Sequence, residues 1–332
     1  MPPITRRRTI ALAAASLAPA LASPALAPSA FAQGRFPDRP IRLVIPWPAG
    51  GSADAQLRSM GEIASRALGQ PVVLENKPGA GGTLGPMTVA QQSRPDGYTL
   101  TQMHLSVLRR PWMMKAPLWD PVRDFTHIIG LTGWLFGTAV KADSRFATWQ
   151  EMIAYARANP GKLTYSTSGI GTSNHLAMET LLEMEKVEIT HVPFRGSNEG
   201  VTAALAGQVD MVSDSSAWAP FVEAGSMRAL SVWTAERAAR FPTVPTLKEL
   251  GYDMEVTSPY GVSGPKGMDE GVVQVLHDAF KAALFDPENE RIRGQFDMPL
   301  VYRNTEDYRD FVARRVDYEK MMVKRLNLTL DG

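Results

Sequence analysis

Residues 41–69 read IRLVIPWPAGGSADAQLRSMGEIASRALG and predict a strand, a glycine loop and a helix in succession. Four apolar residues among the first five indicate a short buried strand. Two prolines end the strand, and Gly50–Gly51 lets the backbone turn without a side chain in the way. The helix is expected to begin near Ser52–Asp54, where good capping residues stand, and to end at Gly69. Such a unit is typical of an α/β fold.

The start of this helix is a candidate anion site. The first N–H groups of a helix have no partner within it, and the helix dipole places partial positive charge there. Because the loop is rich in glycine, its main chain can approach a carboxylate or phosphate oxygen closely. The candidate ligand-binding residues in this loop are Ala49, Gly50, Gly51, Ser52 and Asp54.

A second strand–loop–helix unit lies within residues 163–185, LTYSTSGIGTSNHLAMETLLEME. Its strand is expected to end near Tyr165 and its helix to begin near Thr172. The loop between them offers hydroxyl and main-chain donors. Two such units facing each other would grip a molecule with anionic ends, whereas ordinary turns of an α/β fold would bind nothing. The candidates in this loop are Ser168, Gly169, Gly171, Thr172 and Ser173.

Strand-like and helix-like runs alternate along the rest of the chain, which predicts α/β layers with mostly parallel strands. The length of 332 residues favours two domains over one. We expect two doubly wound α/β domains with a ligand cleft between them. The predicted division is an export signal at 1–32, a first domain at 33–140 plus 260–332, and a second domain at 141–259. The chain is expected to cross between the domains near Thr138–Lys141 and to return near Tyr260–Pro265.

The first 32 residues are typical of a cleaved export signal. Arg6–Arg8 precedes an Ala-rich apolar stretch, and Ala30–Ala32 fits the small-x-small pattern, so cleavage is expected near Ala32. Paired arginines suggest twin-arginine export, but no Phe-Leu follows them, so the ordinary secretory route stays open. Prolines interrupt the stretch too often for a membrane helix.

Composition excludes several function classes. Without the signal, the chain carries 32 basic and 34 acidic residues, a net charge of −2, which argues against a nucleic-acid partner. The chain has no cysteine, so thiol catalysis, disulfides and cysteine metal sites are excluded. No later stretch approaches the roughly 20 apolar residues that span a membrane, so any membrane partner is expected to be a separate chain.

Enzyme, cofactor and metal motifs are absent or incomplete. GAGGTLG and SGIGTSN both lack the third glycine of a dinucleotide fingerprint, so no cofactor is expected. His175 and Glu179 lie one helical turn apart, but two ligands do not make a metal site. Asp210 and Asp214 resemble a carboxylate pair, yet a strand places them about 13 Å apart. We therefore expect a protein that is not an enzyme.

Longer motifs with a common order and spacing resemble one family. They include RPIRLVIPWPAGGSAD, LGQPVVLENKPGAGGTLG, PDGYTL, NPGKLTYSTSGIGTSNHLAMET and ITHVPFRGSNEGVTAALAGQVDMVSD. From about Arg39 to Asn327 the chain resembles the Bug-type solute receptors, the periplasmic binding proteins of tripartite tricarboxylate transporters. The resemblance implies a fold like that of type II periplasmic binding proteins, a periplasmic location and transporter membrane subunits as partners.

The resemblance also implies further site residues. His175 matches a histidine that commonly follows the second loop, and Arg195 occupies a position that is often basic. The counterpart of Asp214 lies near the ligand, where a carboxylate would repel an anion unless it ordered water or received an amine. Ser106 is expected to complete the cleft with Asp214.

Residues 102–112, QMHLSVLRRPW, depart from the family, in which a Gly/Thr-rich loop is common at this point. Arg109 or Arg110 would clamp a carboxylate bidentately if either faced the cleft. Facing solvent, both would be ordinary charged surface. The candidates for apolar walls of the cleft, with core packing as the alternative, are Trp47, Trp134 and Trp218.

We expect a monomeric periplasmic receptor that closes two domains over a small organic anion and delivers it to a tripartite tricarboxylate transporter. We expect a di- or tricarboxylate, but the resemblance alone does not choose the ligand, so aromatic carboxylates, acidic amino acids and a neutral amide stay open. One alternative is a ligand sensor that signals to a membrane kinase. The poorest fit is an exported α/β hydrolase or isomerase, because no nucleophile–base pair is visible.

Overall fold

The structure, a computed structural model, describes residues 36–330. The predicted export signal at 1–32, with cleavage near Ala32, lies outside the described residues. The strands are β1 (Ile41–Ile45), β2 (Val72–Asn76), β3 (Thr99–Met103), β4 (Phe125–Thr132), β5 (Phe136–Lys141), β6 (Thr164–Thr167), β7 (Thr190–Pro193), β8 (Met211–Ser215), β9 (Met227–Val232), β10 (Tyr260–Pro265) and β11 (Leu300–Arg303). The α-helices are α1 (Ser52–Leu68), α2 (Leu84–Gln92), α3 (Leu105–Arg109), α4 (Trp149–Ala158), α5 (Ser173–Glu185), α6 (Ser197–Leu205), α7 (Ala219–Glu223), α8 (Glu270–Leu284), α9 (Pro287–Gln295) and α10 (Thr305–Arg325).

These strands form two sheets. The first sheet has the order β11-β4-β10-β3-β1-β2, and the second has the order β7-β6-β8-β5-β9. In the first sheet β1 pairs in parallel with β2 and β3, and in the second β6 pairs in parallel with β7 and β8. The antiparallel strands β10 and β5 pair within the same sheets. The predicted α/β class is confirmed. The sheets were expected to be mostly parallel, but they are mixed, with four parallel and five antiparallel pairings between the named strands.

The first strand–loop–helix unit follows its sequence closely. The apolar residues of β1 are buried, while Arg42 is exposed and pairs with Glu75 of β2 at 3.1 Å. Helix α1 starts directly after Gly51 and packs against α8. It ends at Gly69, whose φ of 67° is the left-handed conformation that glycine adopts without strain. The loop before α1 therefore lies at the carboxyl end of a buried parallel strand.

The chain crosses between the sheets twice, and the two crossings lie side by side. Trp134 N–H donates to the carbonyl of Thr257 at 2.8 Å. A Cβ on Gly133 would collide with that same carbonyl, so the close approach requires glycine there. The segment Thr138–Lys141, expected to be the first crossing, belongs instead to β5, which hydrogen-bonds with β8 and β9. The crossing therefore precedes Phe136.

Some elements of the structure were not predicted from the sequence. Helix α3 occupies part of the segment that departs from the family pattern, and β11 is a short edge strand next to β4. Within residues 36–330, none of the helices has the length and apolar character needed to span a membrane.

Candidate functional site

A cleft of about 640 Å³, counting its open mouth, lies between residues of the first sheet and residues of the second sheet. It borders the loops that follow β1 and β6, at the carboxyl ends of parallel strands, where open α/β sheets bind ligands. The residues that line it are Trp47, Pro48, Gly51, Ser52, Ala53, Asp54, His104, Ser106, Trp134, Phe136, Ser168, Thr172, Ser173, Asn174, Gly196, Ser197, Asn198, Glu199, Asp214, Ser215 and Ser258.

Three helices begin at this cleft without a side-chain cap. Helices α1 and α6 follow Gly51 and Gly196, which have no side chain to offer. Helix α5 follows Thr172, whose hydroxyl donates to the carbonyl of Gly169 at 2.7 Å and so does not cap the helix. First-turn N–H groups need an acceptor, and the aligned dipoles favour a negative one. The cleft therefore provides main-chain donors for an anion.

Asp54 fixes the shape of the loop after β1. Its carboxylate accepts hydrogen bonds from Gly50 N–H at 2.9 Å, Asn76 Nδ2 at 2.8 Å and Arg58 Nε at 3.0 Å. Burial opposes ionisation, but these donors outweigh it and hold the pKa of Asp54 below its ordinary value. Asp54 is thus an ionised support for the loop.

The loop before α5 is positioned by His175, which packs against His191. Gly171 N–H donates to His175 Nδ1 at 3.3 Å, and the His175 ring stacks on His191 with 4.1 Å between ring centres. Burial, with the nearby charges of His191 and Arg109, lowers the pKa of His175 to about 3, so the ring is neutral and can accept this hydrogen bond. His175 positions the loop and does not line the cleft.

The two arginines of the unusual segment contact the same loop. Arg109 Nη1 donates to the carbonyl of Gly171 at 2.9 Å, and Arg110 Nη1 donates to the carbonyl of Ile170 at 3.2 Å. Arg109 is buried and forms an ion pair with Glu319 of α10 at 2.6 Å. Neither arginine lines the cleft. Arg109 is therefore neither a clamp for the ligand nor a solvent-facing surface residue, the two positions expected from the sequence.

Asp214 stands at the end of β8, and its two oxygens have different surroundings. Oδ1 accepts hydrogen bonds from Ser197 Oγ and from Ser215 N–H, both at 2.7 Å. Oδ2 is buried without a hydrogen-bond partner. Burial raises the pKa of Asp214 to about 6 against the lowering effect of the Ser197, Ser215 and Ser168 donors.

Aromatic rings form one wall of the cleft. Trp47 packs on His104 with 4.8 Å between ring centres, and Trp134 meets both rings edge-on at 6.2 and 6.3 Å. Burial lowers the pKa of His104 to about 4, so its ring is neutral. Trp218 does not line the cleft and packs in the core of the second sheet.

The structure brings together part of the predicted set. Within the described residues, the predicted ones that line the cleft are Gly51, Ser52, Asp54, Ser106, Ser168, Thr172, Ser173 and Asp214. Those that stand outside the lining are Ala49, Gly50, Gly169, Gly171, His175 and Arg195. Arg195 is exposed, and its N–H donates to Glu199 at 3.3 Å.

Sequence reasoning missed the third helix start. Gly196, Ser197 and Asn198 repeat the glycine–hydroxyl–helix pattern of the other two loops, so the same signal could have found them. Asn174 was also missed, although it directly follows Ser173.

A second cavity of about 890 Å³ adjoins the cleft. Ser173 and Ser258 line both spaces, and their hydroxyl oxygens lie 2.7 Å apart. These two side chains therefore form a partition between the cavities. Ser258 has a φ of 41°, a left-handed conformation that is uncommon outside glycine.

The ionisable side chains along the cleft are acidic or neutral. In the part of the chain that the structure describes, the lining includes the carboxylates of Asp54, Glu199 and Asp214 and no lysine or arginine. Residues 36–330 also contain no cluster of three or more histidines and carboxylates that could hold a metal ion. The donors available for an anion are therefore uncharged: main-chain N–H groups, hydroxyl groups, the amides of Asn174 and Asn198, and the indole N–H of Trp47, which has no hydrogen-bond partner.

Known proteins share both sequence and fold with this chain. The family model described as "Tripartite tricarboxylate transporter family receptor" matches residues 57–328. A relative from Cupriavidus necator, "UPF0065 protein in gbd 5'region", is 48% identical over 97% of this chain and 98% of its own.

Solved structures agree with that match. The periplasmic binding protein BugD has a TM-score of 0.83 and 30% identity, covering 89% of this chain and 99% of its own. MatC from Rhodopseudomonas palustris, solved with bound malate, has a TM-score of 0.81 and 27% identity, covering 87% of this chain and 100% of its own. These are binding proteins rather than enzymes, and they confirm the resemblance to Bug-type receptors. The chain therefore belongs to the family of tripartite tricarboxylate transporter receptors.

Proposed function

We propose that this solute-binding receptor captures a small carboxylate between the loops that precede α1 and α5. The observation that carries the proposal is the convergence of three uncapped helix starts on one cleft. The malate bound by the related MatC is a ligand of the same chemistry. The aromatic wall of Trp47 and Trp134 would contact the carbon skeleton of the ligand.

Capture by domain closure is part of the proposal. We assign one domain to each sheet, as in the predicted division at 33–140 plus 260–332 and 141–259, and the pairing of β5 with β8 supports a first boundary before Phe136. Residues of both sheets line the cleft, so a ligand that contacts both favours the closed arrangement. A monomer is sufficient for this step.

Delivery to a transporter completes the proposal. We expect the exported chain to act in the periplasm and to present its closed form to the membrane subunits of a tripartite transporter. Deletion of the receptor should then abolish uptake of its ligand, and the unmodified receptor should restore it. Unchanged uptake together with tight ligand binding would favour the sensor role instead.

The ligand chemistry can be tested by thermal shift and calorimetry with mono-, di- and tricarboxylates. A ligand at about 100 times its Kd adds about 2.7 kcal/mol to the free energy of unfolding. Ser168→Asp should weaken binding at least tenfold, because it places a negative charge in the cleft lining, on the loop before α5. The matched control is Ser226→Asp, at an exposed serine outside the cleft lining.

Binding of neutral or cationic solutes, without any response to carboxylates, would contradict the proposal. Equal effects of the two aspartate substitutions on affinity would contradict the assigned position of the carboxylate.

A further inference from the structure

The carboxylate of Asp214 has one acceptor that the protein leaves unused. Asp214 is 1% exposed and lines the cleft. Two donors, Ser197 Oγ and Ser215 N–H, converge on Oδ1, and Oδ2 has none. A buried carboxylate oxygen without a donor is costly, so native proteins rarely keep one that has no further role.

The fold explains why only one oxygen is satisfied. Asp214 lies opposite Gly137 in the pairing of β8 with β5, which fixes its backbone within the sheet. Ser197 is the first residue of α6, and its hydroxyl reaches Oδ1 from the start of that helix. Asn174 Nδ2 donates to the neighbouring Ser213 carbonyl at 3.0 Å and is not hydrogen-bonded to Asp214. Ser168 lines the cleft with Asp214 and lowers its pKa, but it forms no hydrogen bond with Oδ2. A donor for Oδ2 is therefore left to be supplied at the cleft.

The charges around the cleft restrict which ligand group can approach Oδ2 of Asp214. The helix starts favour one carboxylate group of the ligand, but Asp214 and Glu199 oppose additional negative charge nearby. No lysine or arginine among the described lining residues offsets this repulsion. Because burial raises its pKa only to about 6, Asp214 is ionised at neutral pH and remains a strong acceptor.

We propose that the receptor selects carboxylates that also carry a hydrogen-bond donor, either a hydroxyl or an ammonium group, and that Oδ2 of Asp214 accepts this donor. The inference rests on the proposed function, because the helix starts must hold the carboxylate. It gives Asp214 a role in specificity: ligands without a donor leave a buried charge unpaired and bind more weakly.

The test uses ligands that differ in one donor group. Succinate, malate and aspartate share a four-carbon skeleton with two carboxylates, and benzoate and 4-hydroxybenzoate form a second pair. In calorimetry on the wild-type protein, we compare the ligands within each set that the protein binds. A ligand that carries a donor should have a Kd at least tenfold lower than the ligand of the same set that lacks one. A lower Kd for malate indicates a preference for a hydroxyl donor, and a lower Kd for aspartate indicates a preference for an ammonium donor.

Asp214→Asn is the matching variant. The asparagine can keep an oxygen for Ser197 and Ser215 while its NH₂ group replaces the free acceptor with a donor. Donor-bearing ligands should then bind at least tenfold more weakly, and succinate or benzoate should bind equally well or better. Asp210→Asn is the control, because Asp210 accepts from Thr164 N–H and Oγ1 at 2.8 and 2.9 Å and does not line the cleft. It should leave each Kd within twofold.

The outcomes separate this inference from the proposed function. If wild-type protein binds succinate as tightly as malate and aspartate, and benzoate as tightly as 4-hydroxybenzoate, the inference is overturned and the carboxylate function stands. If no carboxylate binds, the proposed function itself fails. If Asp214→Asn weakens every ligand equally, Asp214 merely shapes the site and the inference is also overturned. The wild-type comparison decides the question even if the variant does not fold.

Discussion

Asp54 and Asp214 are two buried carboxylates that border the same cleft, and their donors give them opposite properties. Three donors surround Asp54, and its pKa lies below the ordinary value. Asp214 has donors on one oxygen only, and burial raises its pKa to about 6. The sequence predicts both as ligand-binding residues but cannot distinguish them, because the donors Asn76 and Ser197 lie 22 and 17 residues away along the chain.

The raised pKa of Asp214 predicts a specific pH dependence of stability. In the unfolded chain an aspartate titrates near about 3.9. The folded protein holds the proton up to about pH 6, so Asp214 stabilises the fold below pH 4 relative to neutral pH. Its contribution to the free energy of unfolding should fall by about 1.4 kcal/mol per pH unit between the two pKa values, about 3 kcal/mol in all, and should stay level above that range.

Urea unfolding of the wild-type protein and Asp214→Asn, both without ligand, measures this contribution. The stability of the variant relative to the wild-type protein should rise by about 3 kcal/mol between pH 4 and pH 7. A relative stability that is the same at both pH values would contradict the prediction.

At the scale of elements, α10 is tied to α3 by a buried ion pair. Glu319 of α10 is fully buried, pairs with Arg109 of α3 at 2.6 Å and also accepts from Arg315 at 2.7 Å. Arg109 in turn donates to Gly171 before α5. Helix α10 therefore supports the loop before α5 through the side chain of Arg109.

Removing the Glu319 carboxylate should destabilise the protein strongly. Glu319→Ala leaves Arg109 as a buried cation without its counter-charge, so the free energy of unfolding should fall by about 3–5 kcal/mol. Asp310→Ala, on the same helix, removes an exposed carboxylate that pairs with Arg314 at 3.6 Å and should cost less than about 1 kcal/mol. Equal losses for the two variants in urea unfolding would contradict this assignment.

Element ends that are marked by local sequence signals, such as a glycine after a helix, were predictable from the sequence. Gly69 ends α1 as expected, and the chain is back in the first sheet at Tyr260, where β10 begins. Helix α3 lacks such signals, and the position of Arg109 depends on Glu319, 210 residues further along the chain. Local sequence predicts where helices start, and through them much of the cleft. It cannot predict which side chains a remote helix will attract.

At the scale of the whole molecule, side chains from elements around the first sheet contact α5 and the loop before it, which belong to the part of the chain around the second sheet. Arg110 contributes a hydrogen bond to the Ile170 carbonyl, and Arg325 of α10 donates to Thr180 of α5 at 2.9 Å. These contacts require elements of both sheets to lie together, so they would favour the closed arrangement that we propose for ligand binding.

Arg110→Ala should therefore weaken binding without unfolding the protein. Loss of one hydrogen bond of about 1 kcal/mol corresponds to a rise in Kd of about threefold to tenfold, the same for every ligand. Arg94→Ala, at a side chain that is 85% exposed, is the control and should leave Kd unchanged. An unchanged Kd for Arg110→Ala in calorimetry would show that this contact does not favour closure.

The Ser173–Ser258 partition bears on how receptors of this fold can acquire new substrates. Their hydroxyl groups lie between the cleft and the adjoining space. Ser258 already has the backbone conformation that suits glycine, so Ser258→Gly relieves strain while it removes one of these two hydroxyls. A single substitution would thus open the cleft toward the adjoining space, which is one route by which a descendant of this protein could accept a longer ligand.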